Sequence, residues 1–200
     1  ILEAAAAAGV EIPTLCYLKD VSSIGSCRMC VVEIEGTDRM VTACNTKVKE
    51  GMTVSTKSER VLSAHRTVLD LLLADHDQDC FSCGKNGACE LQKYCNEYGV
   101  EHSSYNSCRA DACEDVKNSH PFLSYRPELC IRCQRCVNTC EKITGRKAIG
   151  VGKAGVFSII EAPFGPDWKM SLCESCGNCA QACPTGAITE KRRKHYREWE

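Results

Sequence analysis

Cys130, Cys133, Cys136 and Cys140 are spaced C-x2-C-x2-C-x3-C, and Cys173, Cys176, Cys179 and Cys183 repeat that spacing 43 residues later. Disulfides have no need of two-residue gaps in tandem, whereas a metal–sulfide cluster that must be grasped from several sides does. Thiolate-bound iron changes valence with little rearrangement, and its potential follows charge, hydrogen bonds and exposure. These eight residues therefore predict single-electron transfer through two [4Fe–4S] clusters.

The doubled run has the arrangement of bacterial two-cluster ferredoxins, in which the fourth cysteine of each run ligates the other cluster. One cluster is then expected on Cys130, Cys133, Cys136 and Cys183, and its neighbour on Cys173, Cys176, Cys179 and Cys140. Pro184 supplies the C-P ending in the second copy; Glu141 follows Cys140, so the first copy lacks it. The exchange would tie both runs into one pseudo-symmetric core.

Two further groups precede the runs. Cys16, Cys27, Cys30 and Cys44 are spaced C-x10-C-x2-C-x13-C. Four thiolates from a loop and a strand end can enclose a [2Fe–2S] cluster, with Gly25 and Ser26 letting the backbone approach its sulfides. The first gap departs from the plant-type C-x4-C-x2-C spacing. His76, Cys80, Cys83 and Cys89 follow as H-x3-C-x2-C-x5-C, a set for a third [4Fe–4S] cluster. A neutral imidazole replacing one thiolate removes a negative charge, and by analogy with Rieske centres it is expected to raise the potential. Zinc is the alternative for both groups, on four thiolates in the first and on three thiolates and an imidazole in the second. His65 rivals His76, but it falls within the apolar stripe of a helix, which predicts a core or interface histidine. The count leaves Cys95, Cys108 and Cys113, expected as buried free thiols.

Eighteen cysteines in 200 residues, with no secretory signal or long apolar run, favour metal sites over a disulfide scaffold. A net charge of −1 gives no field for nucleic acid or an anionic membrane. Only 6% of residues are aromatic, poor for a large core, so inorganic clusters would act as staples. No dinucleotide-binding fingerprint is expected.

The elements that must carry these ligands are short. Residues 1–9 predict a helix stopped at Gly9, and Pro13 keeps the chain extended before the cysteine loop from Cys16 to Cys30. A strand over 31–36 and a partner over 40–43 follow. Ser58 caps a helix over 59–75 that places Val61, Leu62, His65, Val68, Leu69, Leu72 and Leu73 on one face. Residues 95–125 read as an irregular surface segment, and 145–166 as glycine-punctuated short strands. The fold class is α+β, in three small modules.

Taken in order, the groups resemble the N-terminal iron–sulfur region of the large subunit of NADH dehydrogenase (complex I). A similar region fronts [FeFe]-hydrogenases and the catalytic (alpha) subunit of NAD(P)-linked formate dehydrogenases. Pro13-Thr14-Leu15-Cys16-Tyr17, Gly25-Ser26-Cys27-Arg28-Met29-Cys30 and Gly87-Ala88-Cys89-Glu90-Leu91-Gln92 carry the same likeness. The resemblance implies a β-grasp, plant-type ferredoxin-like [2Fe–2S] domain over 1–57, without its opening hairpin. It implies a helical histidine-ligated [4Fe–4S] domain over 58–125 and a bacterial-ferredoxin-like domain with two [4Fe–4S] clusters over 126–190. One [2Fe–2S] and three [4Fe–4S] clusters would then pass electrons between flavin/NAD(P)H-oxidising iron–sulfur subunits and a catalytic centre in a C-terminal or associated domain. A ferredoxin is a further candidate partner; nucleic acid and membrane insertion are not expected. The setting implied is cytoplasmic and anaerobic.

The chain is expected to conduct electrons without catalytic residues of its own. No cysteine follows Cys183 to hold a hydrogenase active-site cluster. Residues 190–200 resemble the linker before the molybdopterin domain of formate dehydrogenases, which ranks that parent, with its molybdenum or tungsten, above a hydrogenase or complex I. With the opening at Ile1, this tail reads as part of a longer protein. A zinc-stapled module laying the basic run at 191–197 on nucleic acid is the reading from another class.

Overall fold

The computed structural model describes residues 1–106, 119–163, 165, 167–168 and 171–191. Cys108, Cys113 and the tail over 192–200 lie outside them.

Alanine-rich Leu2–Ala7 forms α1. The Leu2 N–H donates to the Ala43 carbonyl at 3.0 Å, which fixes the helix beside the chain entering Cys44. Strands β1 (Val31–Ile34), β2 (Val41–Thr42) and β3 (Val54–Ser55) form an antiparallel sheet of order β2-β1-β3, with Val31 opposite Thr42 and Glu33 opposite Ser55.

Helix α2 (Glu59–Ala74) starts where predicted, with the Ser58 hydroxyl accepting from the Val61 N–H at 3.2 Å. Val61, His65, Leu69 and Leu73 are buried, and Leu62, Val68 and Leu72 flank them half-buried. Its partner α3 (Glu90–Tyr98) corrects the irregular reading of residues 95–125. Leu91, Tyr94 and Cys95 face inward at helical spacing, so the signal was present on a polar background. Gly99, at φ +69°, ends the helix, and the Val100 N–H returns to the Cys95 carbonyl.

In the C-terminal part, β4 (Leu123–Tyr125) pairs antiparallel with a last strand, Ile188–Glu190, so the sheet draws in residues before 126. Between them lie helix α4 (Arg135–Lys142), the hairpin of β5 (Gly150–Gly152) and β6 (Ile159–Glu161), and helix α5 (Asn178–Ala182), followed by that strand, β7. The hairpin corrects one expectation: Gly150-Val151-Gly152-Lys153-Ala154-Gly155 does have the G-x-G-x-x-G spacing. It lies on β5 and a 3-10 turn, not on a strand-to-helix turn, and so makes no helix N-terminus for a pyrophosphate.

Three apolar cores result among the described residues. The first packs Leu2, Ile12, Cys30, Val32 and Ala43. The second joins residues of all three sequence regions: Leu15, Cys16, Cys27 and Met29 meet Leu69, Leu73, Leu91 and Cys95, with Ile131 and Cys133. The third lies under α4, α5 and the two C-terminal sheets and contains Cys136, Cys179 and Cys183. Among the described residues no helix is long and apolar enough to cross a membrane.

Candidate iron–sulfur centres

The structure brings the first group together. Cys16, Cys27 and Cys30 are buried and Cys44 is half-buried. The Cys27 N–H points at Cys16 Sγ at 3.5 Å. Hydrogen bonds from the Cys27 and Cys44 thiols, then from backbone N–H groups of Cys27 and Ser26, hold Cys16 far below the ordinary thiol range against the cost of burial. Cys30 is lowered to about 7, first by the Cys44 thiol and also by backbone groups of Cys44 and Ala43. Cys27 and Cys44, the donors, are pushed up. Gly25 is needed where it stands: its φ is +66°, and a Cβ there would lie 2.9 Å from Asn45 Nδ2.

His76 follows the end of α2, its N–H bonded to the Leu73 carbonyl at 3.1 Å. It leads into a loop in which the Cys83 N–H turns back to the Cys80 carbonyl. Cys89 is the N-cap of α3, and the Leu91 and Gln92 N–H groups of the first turn act on its sulfur. Burial raises Cys80 and Cys89, and each also feels Cys83. His65 instead sits fully buried between α2 and β1. Its Nε2 lies 3.2 Å from the Val31 carbonyl and its ring meets Tyr98 edge-on, as a core histidine would. Cys95, from the unassigned cysteines, is a buried thiol raised to about 12, first by burial.

The doubled runs fold as a pseudo-symmetric pair. Arg132 and Ser175, equivalent positions, have φ of 56° and 60°. That turn lets the Arg132 N–H donate to Cys130 Sγ and the Ser175 N–H to Cys173 Sγ, both at 3.4 Å. Gln134 and Gly177 repeat the pattern as the left-handed N-caps of α4 and α5. Each fourth cysteine acts on a thiol of the other run. Burial raises Cys133, and the further thiols raising it are Cys130 and Cys183. Burial also raises Cys179, to about 12, with Cys173, Cys176 and Cys140 adding to it. Cys140 receives the Ala148 N–H at 3.3 Å, and Cys183 Sγ lies 3.7 Å from the Thr185 hydroxyl.

These donors fit a sulfide cluster. Cys140, Cys173, Cys176 and Cys179 line one cavity beside Trp168. The Trp168 indole N–H is buried with no hydrogen-bond partner among the described residues, and a sulfide would be an acceptor for it. Cys136 is raised well above the ordinary thiol range by burial and neighbouring thiols, so ionising it needs a bound cation to compensate.

Three family profiles cover most of the chain. A 2Fe-2S iron-sulfur cluster binding domain matches residues 1–59, the NADH-ubiquinone oxidoreductase-G iron-sulfur binding region matches 65–104, and the ferredoxin-like domain of NADH-quinone oxidoreductase subunit 3 matches 120–189. One chain in the crystal structure of an NAD+-reducing [NiFe]-hydrogenase in the H2-reduced state superposes with a TM-score of 0.86 at 33% identity, over 96% of this chain and 80% of that one. The chain belongs to this iron–sulfur family. It is 41% identical over 191 residues to the NADPH-Fe(3+) oxidoreductase subunit alpha of Geobacter sulfurreducens, covering 96% of this chain and 22% of the relative. Against the NADP-reducing hydrogenase subunit HndD of Solidesulfovibrio fructosivorans it is 37% identical over 205 residues, covering 100% and 34%. It is 32% identical over 192 residues to the mitochondrial NADH-ubiquinone oxidoreductase 78 kDa subunit of Candida albicans, covering 96% and 26%. The chain thus spans about a fifth to a third of the length of these relatives.

Membership replaces the zinc alternatives with iron. One [2Fe–2S] domain precedes [4Fe–4S]-binding regions in an α+β fold of ferredoxin-like modules, and the family is one of iron–sulfur electron relays. Arg135, Trp168 and Gly186 carry no spacing signal in the sequence; their importance depends on what each meets across the fold, Glu90 for Arg135, the Cys140 cavity for Trp168 and Cys83 for Gly186.

Proposed function

We propose that the chain is a four-cluster electron relay of a multi-subunit NAD(P)H-linked oxidoreductase. The ligand sets are Cys16, Cys27, Cys30 and Cys44 for [2Fe–2S]; His76, Cys80, Cys83 and Cys89; Cys130, Cys133, Cys136 and Cys183; and Cys173, Cys176, Cys179 and Cys140. The observation that carries the reading is the cavity in which Cys140, from the first run, lies together with Cys173, Cys176 and Cys179 of the second. Bound clusters would supply single-electron chemistry; the chain supplies their spacing, shielding and hydrogen bonds.

The third set is the hub of this wiring. Ser26, beside Cys27, donates to the Arg132 carbonyl at 3.3 Å. From the second set, the Glu90 N–H donates to the Pro184 carbonyl at 2.9 Å. Electrons entering at either outer centre would converge on Cys130, Cys133, Cys136 and Cys183, then pass to the fourth set, where Cys176 is exposed. The modules 1–57, 58–125 and 126–190 would carry these steps, with Leu123–Tyr125 joined to the last of them through the β4–β7 sheet.

For the parent enzyme, the tail over 190–200 supports a formate dehydrogenase, whereas the names of the relatives support a hydrogenase or a complex I-type enzyme. Metal analysis and activity of the complete complex separate them: molybdenum or tungsten with formate oxidation supports the first, hydrogen oxidation a hydrogenase, and quinone reduction by NADH a complex I-type enzyme. The relay itself is tested by iron and zinc content and EPR of anaerobically purified, dithionite-reduced protein. About 14 iron per chain, with one [2Fe–2S] and several [4Fe–4S] signals, is expected. Zinc without iron would overturn the relay, and about 10 iron with one zinc would remove the His76 set from it.

A further inference from the structure

Arg135 sits between Cys133 and Cys136 at the start of α4, in the wall of the proposed hub centre. Its side chain is 5% exposed. Nη1 donates to Glu90 Oε1 at 2.7 Å, while Nε is buried without a hydrogen-bond partner among the described residues. Glu90 follows Cys89 of the second set, and its backbone N–H is held by Pro184, the residue after Cys183. The pair therefore spans the seam between two proposed cluster sites, with the cation at the buried end and the half-exposed carboxylate toward solvent.

A buried guanidinium is an expensive way to join two modules, because desolvation offsets much of the ion-pair attraction. Its charge has a consequence an apolar contact would lack. We propose that Arg135 is a potential-setting residue, a fixed cation that favours the reduced state of the cluster on Cys130, Cys133, Cys136 and Cys183. This rests on the relay reading. Reduction adds one negative charge to a four-thiolate cluster, and a buried cation on a residue set between two of its ligands stabilises that state more than the oxidised one. Glu90 opposes the effect, but its exposure lets water screen it, so the net field at the buried end stays positive.

The test is an EPR-monitored redox titration of the protein and three variants, Arg135→Gln, Arg135→Lys and Glu90→Gln, each first assayed for iron. With full iron, Arg135→Gln should shift the hub centre to lower potential, leaving the [2Fe–2S] centre and the Cys173, Cys176, Cys179 and Cys140 centre less affected. Arg135→Lys, which keeps the charge, should show little of that shift. Glu90→Gln should move the same centre the other way. A role confined to packing would destabilise the protein without this ordered set of shifts. Full iron with an unmoved hub potential in Arg135→Gln would overturn the Arg135 proposal and leave the relay standing. Absence of iron from the unsubstituted protein would overturn both. Should Arg135→Gln fail to retain iron, Glu90→Gln decides: a rise in the hub potential supports the proposal, and an unmoved or lowered potential overturns it.

Discussion

At Gly186 one methyl group decides whether Cys83 keeps its place. A Cβ built there would lie 2.6 Å from Cys83 Sγ and 3.3 Å from Leu129 Cδ1, and the first is closer than real contacts allow. Gly186→Ala should therefore displace a ligand of the His76 set. We expect loss of about four iron per chain and of one [4Fe–4S] signal, with the remaining signals retained. Full iron and an unaltered spectrum would place Cys83 outside the cluster. His65 carries a second prediction at this scale. Burial lowers its affinity for a proton, more than the hydrogen bond to Val31 restores it. A lowered folded-state pKa means that the unfolded chain binds the proton first. The contribution is thus complete above the ordinary histidine value of about 6.5 and is lost as pH falls through the folded value. His65→Leu should be less stable at pH 7.5, by about 1 kcal/mol for the lost hydrogen bond, and the gap should narrow at pH 5.5. Anaerobic denaturant melts of both proteins measure it; a gap independent of pH would mean that His65 does not titrate.

Among the elements, α2 bears most directly on the positions of the ligands. Leu69 is fully buried in the core that also holds Cys16, Cys27 and Cys133. Leu69→Ala should destabilise the protein by about 2–5 kcal/mol, and because ligands of two sites line that core, thermal release of iron should begin earlier. An unchanged melting and release profile would show that these modules do not share a core. This helix was legible in the sequence because its signals are local: a serine cap and an apolar stripe at 3.6-residue spacing. The β1–β2 pair was legible for a similar reason, lying within a dozen residues. Helix α3 was missed because four inward residues, Leu91, Tyr94, Cys95 and half-buried Tyr98, are diluted by Glu, Gln, Lys and Asn. The β4–β7 pair was missed on other grounds. It joins Leu123 to Glu190, and nothing in either three-residue strand announces a partner so distant. Cysteine spacing suggested which thiols group, yet it was silent on Gly186, which abuts a cysteine of another segment, and on the partnership of Arg135 with Glu90.

In the whole molecule, the clusters take the place of a large core. Cys16, Cys27, Cys30, Cys133, Cys136, Cys179 and Cys183 are core residues as well as proposed ligands. Removing iron would therefore leave buried thiols around sites no longer filled, and folding and metal binding should be linked. The proposed crossing would make this linkage specific. Cys136 and Cys140 both lie on α4, which would then give one ligand to each of two sites, and Cys179 on α5 and Cys183 at its C-cap would do the same in reverse. Cys140→Ala should then abolish the EPR signal of the cluster on Cys173, Cys176 and Cys179 while sparing the Arg135-neighboured one. Cys183→Ala should do the opposite. Each variant should also melt earlier, since losing one cluster loosens the helix that carries ligands of the other. An uncrossed arrangement predicts the two patterns interchanged. Assigning the residual signal is the deciding step, and the potential shift expected of Arg135→Gln in each background does so: it should persist in Cys140→Ala and vanish in Cys183→Ala.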